Sequence, residues 1–243
     1  MLHLFFDLLD RYSFINQNIT VLYNNVIFLW RLKEMSAKSD RTRENILNIA
    51  KIHFLKDGYN GASLRNIVKD AGLTTGAFYK YYSTKKDLFD DLIDPYVEHI
   101  YQIYDDILAN FETLSANNQT SSMSQASTTS INQMIDYIYD HYDNFRLLFK
   151  CGDTGKYEDV IHNMVSREIK STFTYMETMR NEGIEIPELD ESFMHMIYTG
   201  FFSSIFQIIE HDMDKETAKR NISLLKNFQT GGWERLFHLK FPE

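Results

Sequence analysis

The chain has 243 residues, 44% of them hydrophobic and 24% charged, with a formal net charge of −9 and only 10 Gly and 3 Pro. That is enough apolar material for one large or two modest cores, with few turn-formers and no β-branched alternation bounded by Gly or Pro, so an all-α protein is predicted. The single cysteine, Cys151, excludes an internal disulfide, and no Cys/His spacing fits a zinc site; a reducing cytoplasm fits, and no metal or cofactor is expected.

Residues 1–34 are apolar in patches, but Asp7, Asp10 and Arg11 interrupt them. The run from Ile19 to Trp30 is too short to span a bilayer and lacks the basic start of a signal peptide. Three readings are open for this stretch: an extra helix, a surface-binding segment, or translation from upstream of a true start at Met35. The last is preferred, because the polar sequence after Met35 leads directly into a capped helix. Residues 1–35 are therefore set apart as an N-terminal extension.

Residues 36–82 carry eight Lys/Arg against four acids, whereas the chain from Pro95 onward carries 12 basic against 23 acidic residues. A basic island on an acidic protein suits a polyanion that meets one end only; chance clustering on a solvated face is the alternative. Within the island, Ile46, Ile49, Ala50 and Phe54 have helical spacing over Arg41 to Lys56, with Ser39 or Asp40 as cap and Gly58 as terminator. Ser63 can cap a short helix through Ala71, and Gly72 supplies a turn.

Thr74 is then placed to cap a third helix of about eight residues. Phe78 and Tyr82 share its inward face, leaving Thr75, Ala77, Tyr79, Lys80 and Tyr81 pointing out. Thr84 with Asp87 makes a capping box for a fourth helix, Lys85 to Asp94, which Pro95 should break. Two short helices joined by a glycine turn behind a longer support helix form a helix-turn-helix, whose second short helix enters the DNA major groove. Gly76 keeps the first turn of that helix bare, so the backbone can approach the duplex.

The stretch "TRENILNIAKIHFLKDGYNGASLRNIVKDAGLTTGAFYKYYSTKKDLF" resembles the DNA-binding domain of TetR-type transcriptional regulators. Phe54, Gly58, Tyr59, Ser63, Ile67, Ala71, Gly72, Gly76, Tyr79, Tyr81, Tyr82, Lys85 and Leu88 take the family's places in register over about 50 residues. Lys86, where an acid is commoner, and Val68, where alanine is frequent, depart from the pattern. The resemblance implies a DNA-binding domain over residues 36–94 and a larger helical effector-binding and dimerisation domain over 95–243. It implies phosphate contacts from Tyr79, Tyr81, Lys85, Arg41, Thr42, Arg43 and Ser63. Thr75, Ala77 and Lys80 become candidates for base edges, beside Thr74 and Gly76.

Beyond Pro95 the resemblance fades. A helix is predicted over 96–112, followed by a flexible polar loop at 115–130 ("SANNQTSSMSQASTTS"), then helices at about 131–150 and 156–182. Segment 190–210 is apolar nearly all round, so more than one side is buried. Its small residues Thr199, Gly200, Ser203 and Ser204, flanked by Tyr198 and Gln207, would admit a close neighbour. With 215–228 this is the two-helix half of a homodimer's four-helix interface that the family implies. A cleft among the many aromatics could hold a small apolar or aromatic effector, with Tyr104, Tyr137, Phe145, Phe149, Phe173 and Tyr198 as candidates. His99, His141, His162 and His195 fall on different predicted helices, which argues against a metal site.

Together these features read as a homodimeric, ligand-responsive repressor of a palindromic operator. No acid–base pair, nucleophile or phosphate loop supports an enzyme; a helical enzyme and a regulator acting only through protein partners are the alternatives.

Overall fold

The computed structural model describes residues 2–241, with side chains described from residue 27 onward except those of 30, 32, 116, 123–127 and 130. The expectation for the N-terminal extension falls largely on side chains outside the described ones. All regular structure among the described residues is helical. The residues form two compact units, Met1–Asn48 and Ile49–Glu243.

Helix α1 covers Leu2–Gly61. Ser39 and Asp40, expected to cap a start at Arg41, lie inside it, because the polar stretch before Arg41 contains neither Gly nor Pro to stop a helix. At the expected terminator the helix kinks and then runs on to Gly61: Gly58 adopts φ 71°, a left-handed conformation natural to glycine, and a Cβ there would come within 3.1 Å of the Lys150 carbonyl oxygen.

In the second unit, α2 (Leu64–Asp70) starts at Ser63, whose hydroxyl accepts the Asn66 N–H at 3.4 Å. Gly72, at φ 71°, turns the chain into α3 (Thr75–Phe78), capped by Thr74 through the Ala77 N–H at 3.2 Å. The third helix is shorter than predicted. After Phe78 the backbone tightens to three-residue bonds, Lys80 N–H to Ala77 O at 3.3 Å and Tyr81 N–H to Phe78 O at 2.8 Å, so its outward residues sit on a compact turn.

Helix α4 (Lys85–Glu112) begins with the predicted capping box of Thr84 and Asp87 but runs straight past Pro95, contrary to the expected break. Proline cannot donate to the Asp91 carbonyl four residues back, a loss that ordinarily kinks or ends a helix. Here Leu92, Ile93, Val97 and Ile100 are buried on both sides of it. The next carbonyl, that of Leu92, accepts a 2.8 Å hydrogen bond from the buried Asn144 amide, whose oxygen accepts from Lys51 Nζ at 3.2 Å. Asn144→Ala should therefore destabilise the chain by about 1–3 kcal/mol, read by chemical denaturation, since it strips one buried and one half-buried group of a partner.

The rest comprises α5 (Ala116–Asp140), α6 (Tyr142–Lys150), a short 3₁₀ turn, α7 (Lys156–Asn181), α8 (Glu191–Glu210) and α9 (Lys215–Phe237). The polar stretch 115–130 is thus no loop but most of α5. Its hydroxyls bond back to helix carbonyls, as Ser122 does to Asn118 O at 2.6 Å. The buried Ile131, Met134, Ile135 and Ile138 anchor the same helix, and Gln119 Nε2 bonds Phe111 O at 3.1 Å. Composition alone reads such a segment as coil; absence of Gly and Pro plus an apolar anchor lets it coil into helix.

Candidate functional site

The outward side of α2 and α3 is built from a buried hinge. Phe78 is fully buried and Tyr82 nearly so, their rings 5.8 Å apart, and they lie with Ile67, Val68, Ala71, Phe54 and Leu88 in the core. Their burial fixes the phase of the turn. Thr74, Thr75, Gly76 and Lys80 are exposed and Tyr79 is 53% exposed, while Ala77 and Tyr81 are half-buried. Ser63 is exposed at the head of α2; its hydroxyl and that of Thr74 accept backbone N–H bonds yet each keeps a proton to donate. In the first unit, Arg41 and Arg43 are exposed, and Thr42 donates its hydroxyl to Lys38 O at 2.9 Å.

Lys85 behaves otherwise. Its ammonium donates to the Tyr59 carbonyl and lies 4.6 Å from the centre of the Tyr59 ring, and burial lowers its pKa. It binds a carbonyl of the last turn of α1, just past the Gly58 bend, so its charge points inward and away from the exposed face. Nearby, Asp153 Oδ2 accepts the Asn60 N–H at 3.3 Å, and burial pushes the Cys151 thiol up to about 12.

A cavity of about 180 Å³ lies among α4, α5, α7, α8 and α9. Of the sequence candidates, Tyr104 and Tyr198 line it. Tyr137 packs instead between His99 and His141, with ring centres 4.3 and 4.5 Å away; Phe145 meets Tyr137, and Phe149 meets Tyr157 and Phe206. Phe173 also stays outside the lining. No group of three or more His, Cys, Asp or Glu that could hold a metal occurs among the described residues.

Sequence reasoning missed Glu168 and Trp233, both in the cavity wall. The signal for Glu168 is a charge inside the stripe Ile161, Met164, Val165, Glu168, Ser171, Tyr175, where the 3 and 4 spacing turns every member inward. Glu168 is half-buried beside the cavity space, and desolvation of its carboxyl pushes its pKa from 4.5 up to about 7. Burial, then the adjacent Glu168 charge, raises the Tyr198 phenol well above its ordinary value, while a 2.6 Å bond to Thr172 opposes the shift. The raised Glu168 pKa means that the fold gains most below pH 4.5 and loses stability as pH climbs through about 7. Glu168→Gln should remove that dependence. At pH 8 the variant is expected to be more stable than the parent by up to about 3 kcal/mol, with the two converging near pH 4.5 in denaturation curves.

On α8 and α9 the exposed residues include large apolar ones: Met196 is 69%, Leu224 63% and Phe228 77% exposed. Gly200 and Gln207 are exposed, and Thr199, Ser203 and Ser204 half-buried. Tyr198, expected at both the interface and the ligand site, is buried and faces the cavity. Beyond its own helix backbone, a Cβ at Gly200 would meet nothing within 4 Å among the described residues.

Residues 46–92, which contain the capped pair α2 and α3, match the model of the bacterial regulatory proteins of the tetR family. Over this segment the chain is similar to the N-terminal domain of the TetR family. It is 35% identical over 60 residues to the HTH-type transcriptional regulator AcrR of Shigella flexneri, covering 25% of this chain and 28% of AcrR. It is 27% identical over 77 residues to the HTH-type transcriptional repressor KstR2 of Rhodococcus jostii, covering 32% and 37%. The chain thus spans about a third of the length of these relatives. Among solved structures it is similar in fold to the TetR family regulator PfmR of Thermus thermophilus (TM-score 0.53, 15% identity, 75% of this chain and 94% of PfmR). A TerR/AcrR family regulator of Aquifex aeolicus is also similar in fold (TM-score 0.51, 19% identity, 81% and 99%). As in these TetR-family proteins, an N-terminal helix-turn-helix precedes a helical C-terminal region. No helix among the described residues is long and apolar enough to cross a membrane.

Proposed function

We propose that the chain is a cytoplasmic, homodimeric repressor that binds a near-palindromic DNA operator through α2 and α3 and leaves it when a small apolar or aromatic effector enters the cavity. The observation that carries this reading is the exposed set Thr74, Thr75, Gly76, Tyr79 and Lys80 on a turn fixed by buried Phe78 and Tyr82. Tyr79 supplies a phosphate hydroxyl, and Thr75, Ala77 and Lys80 face base edges. A helical glycine is unfavourable by about 1 kcal/mol against alanine, and beyond its own helix backbone nothing among the described residues lies within 4 Å of a Cβ at Gly76, so its use is explained by a partner outside the fold. Ser63, Tyr81, Arg41, Thr42 and Arg43 add phosphate contacts. Lys85 is not among them, because its ammonium is engaged with Tyr59.

The apolar residues left exposed on α8 and α9 support pairing with a second copy, which carries two recognition helices to successive major grooves. Coupling runs through α4. Its first half meets the DNA-binding core, Phe89 lying 5.3 Å from Phe54 and 5.2 Å from Tyr59 ring to ring, while Tyr104, Ile107, Leu108 and Phe111 of its second half line the cavity. An effector that prefers another tilt of this helix changes the spacing of the recognition helices and shifts the population off DNA. In an anisotropy titration against duplexes selected from genomic fragments, Tyr79→Ala should weaken binding by about 5- to 50-fold while the dimer persists, the loss expected of one charge-assisted contact. Unchanged affinity at moderate salt would remove Tyr79 from the interface.

A further inference from the structure

We propose that the cavity takes a small organic cation, its ammonium group seated on the Glu168 carboxylate and its apolar or single-ring body held against the surrounding aromatic rings. This rests on the reading of the cavity as the effector site and narrows the effector to one chemical class.

The polar groups of the wall differ in how they are satisfied. The Tyr198 hydroxyl is bonded to Thr172 at 2.6 Å, the Tyr175 hydroxyl to Thr120 at 3.0 Å, and the Lys226 ammonium to the Thr128 hydroxyl. Glu168, half-buried, has no hydrogen-bond or ion-pair partner among the described residues, and it lines the cavity. A carboxylate on a largely apolar cavity wall, with no protein partner, is partly desolvated and favours either a proton or a cation beside it. A ligand ammonium supplies the second.

The walls suit the same charge. Trp233 stacks between Tyr198 and Phe237, at 5.6 Å with 29° between planes and at 5.5 Å with 17°. Tyr104 meets Phe202 edge-on at 6.0 Å. Ring faces and phenols carry negative potential toward an enclosed cation. A volume of about 180 Å³ is close to the roughly 150 Å³ of an engineered apolar cavity that holds benzene, so one ring or a short branched chain fits. An anion such as a carboxylate would place its charge beside Glu168. Lys226 is the group in the wall that it would seek instead, and the test below includes that choice.

Isothermal titration of the purified full chain at pH 8 compares three probes of one size: 2-phenylethylammonium, 2-phenylethanol and phenylacetate. The ammonium should bind at least tenfold tighter than the alcohol, with phenylacetate weakest. Glu168→Gln should weaken the ammonium at least tenfold and leave the alcohol within about twofold, an outcome that a merely structural role of Glu168 would not produce. Equal or tighter binding of the alcohol or of phenylacetate to the parent chain would overturn the cation assignment while leaving the cavity as an effector site. So would an unchanged ammonium affinity in Glu168→Gln. If none of the three binds, the cation assignment and the effector site both fall, and DNA binding by the same preparation shows whether the regulator reading survives them.

Discussion

Phe78→Ala should lower the stability of the chain by about 3–5 kcal/mol and abolish DNA binding at the same time. Phe78 is fully buried and lies 5.8 Å, ring centre to ring centre, from Tyr82. It is the last residue of a four-residue helix, so no other side chain of α3 is buried to hold that helix in place. Truncation leaves a cavity directly beneath the exposed turn, and the turn keeps only the Tyr82 anchor, the Thr74 cap and a few backbone bonds to hold its shape. The measurement pairs chemical denaturation with an operator titration. A variant that loses stability yet binds DNA as before would show that α3 does not need this anchor to present Thr75, Tyr79 and Lys80.

A second large effect is expected from Phe228→Asp. Because Phe228 is 77% exposed, the change should move the stability of one protomer by less than about 0.5 kcal/mol. In the proposed dimer, however, the two-fold axis brings a second copy of the same α8 and α9 face against it, so each substitution buries a carboxylate near its own symmetry mate. Light scattering should report a monomer. Operator affinity should fall by at least about 100-fold, since two linked half-sites are replaced by one. Gly200→Leu acts by bulk on the same face. Gly200 is exposed and a Cβ there meets nothing within 4 Å among the described residues, so a folded protomer that no longer pairs is expected. A dimer in both variants would place the interface elsewhere.

How far the sequence foretells these features depends on how local their causes are. Ser63, Thr74, Thr84 and Gly72 each act within three or four residues, through a side-chain cap or a positive φ, and the starts of α2, α3 and α4 follow from them directly. The inward phase of Phe78 and Tyr82 is likewise a matter of spacing. Pro95 and the polar half of α5 mislead for the opposite reason, because what decides them lies far off in the chain. Asn144, 52 residues away from Leu92, supplies the hydrogen bond beside the proline. Tyr175, 55 residues from Thr120, holds the serine- and threonine-rich turn. Glu168 is visible as a charge in an apolar stripe, but only the meeting of several helices makes it a lone carboxyl in a cavity. Lys85 sits where a phosphate contact is expected and turns inward to a backbone carbonyl, that of Tyr59, which no pattern of side chains reveals.

The claim on which everything else depends is that α3 reads the major groove, once from each half of a dimer. Hydroxyl-radical footprinting of the wild-type chain on a duplex selected from genomic fragments tests it most directly. Two protected patches on one face of the duplex, centred about 34–36 Å apart and both lost with Tyr79→Ala and Lys80→Ala combined, are the result predicted. A single patch, or protection that survives the double substitution, would contradict it.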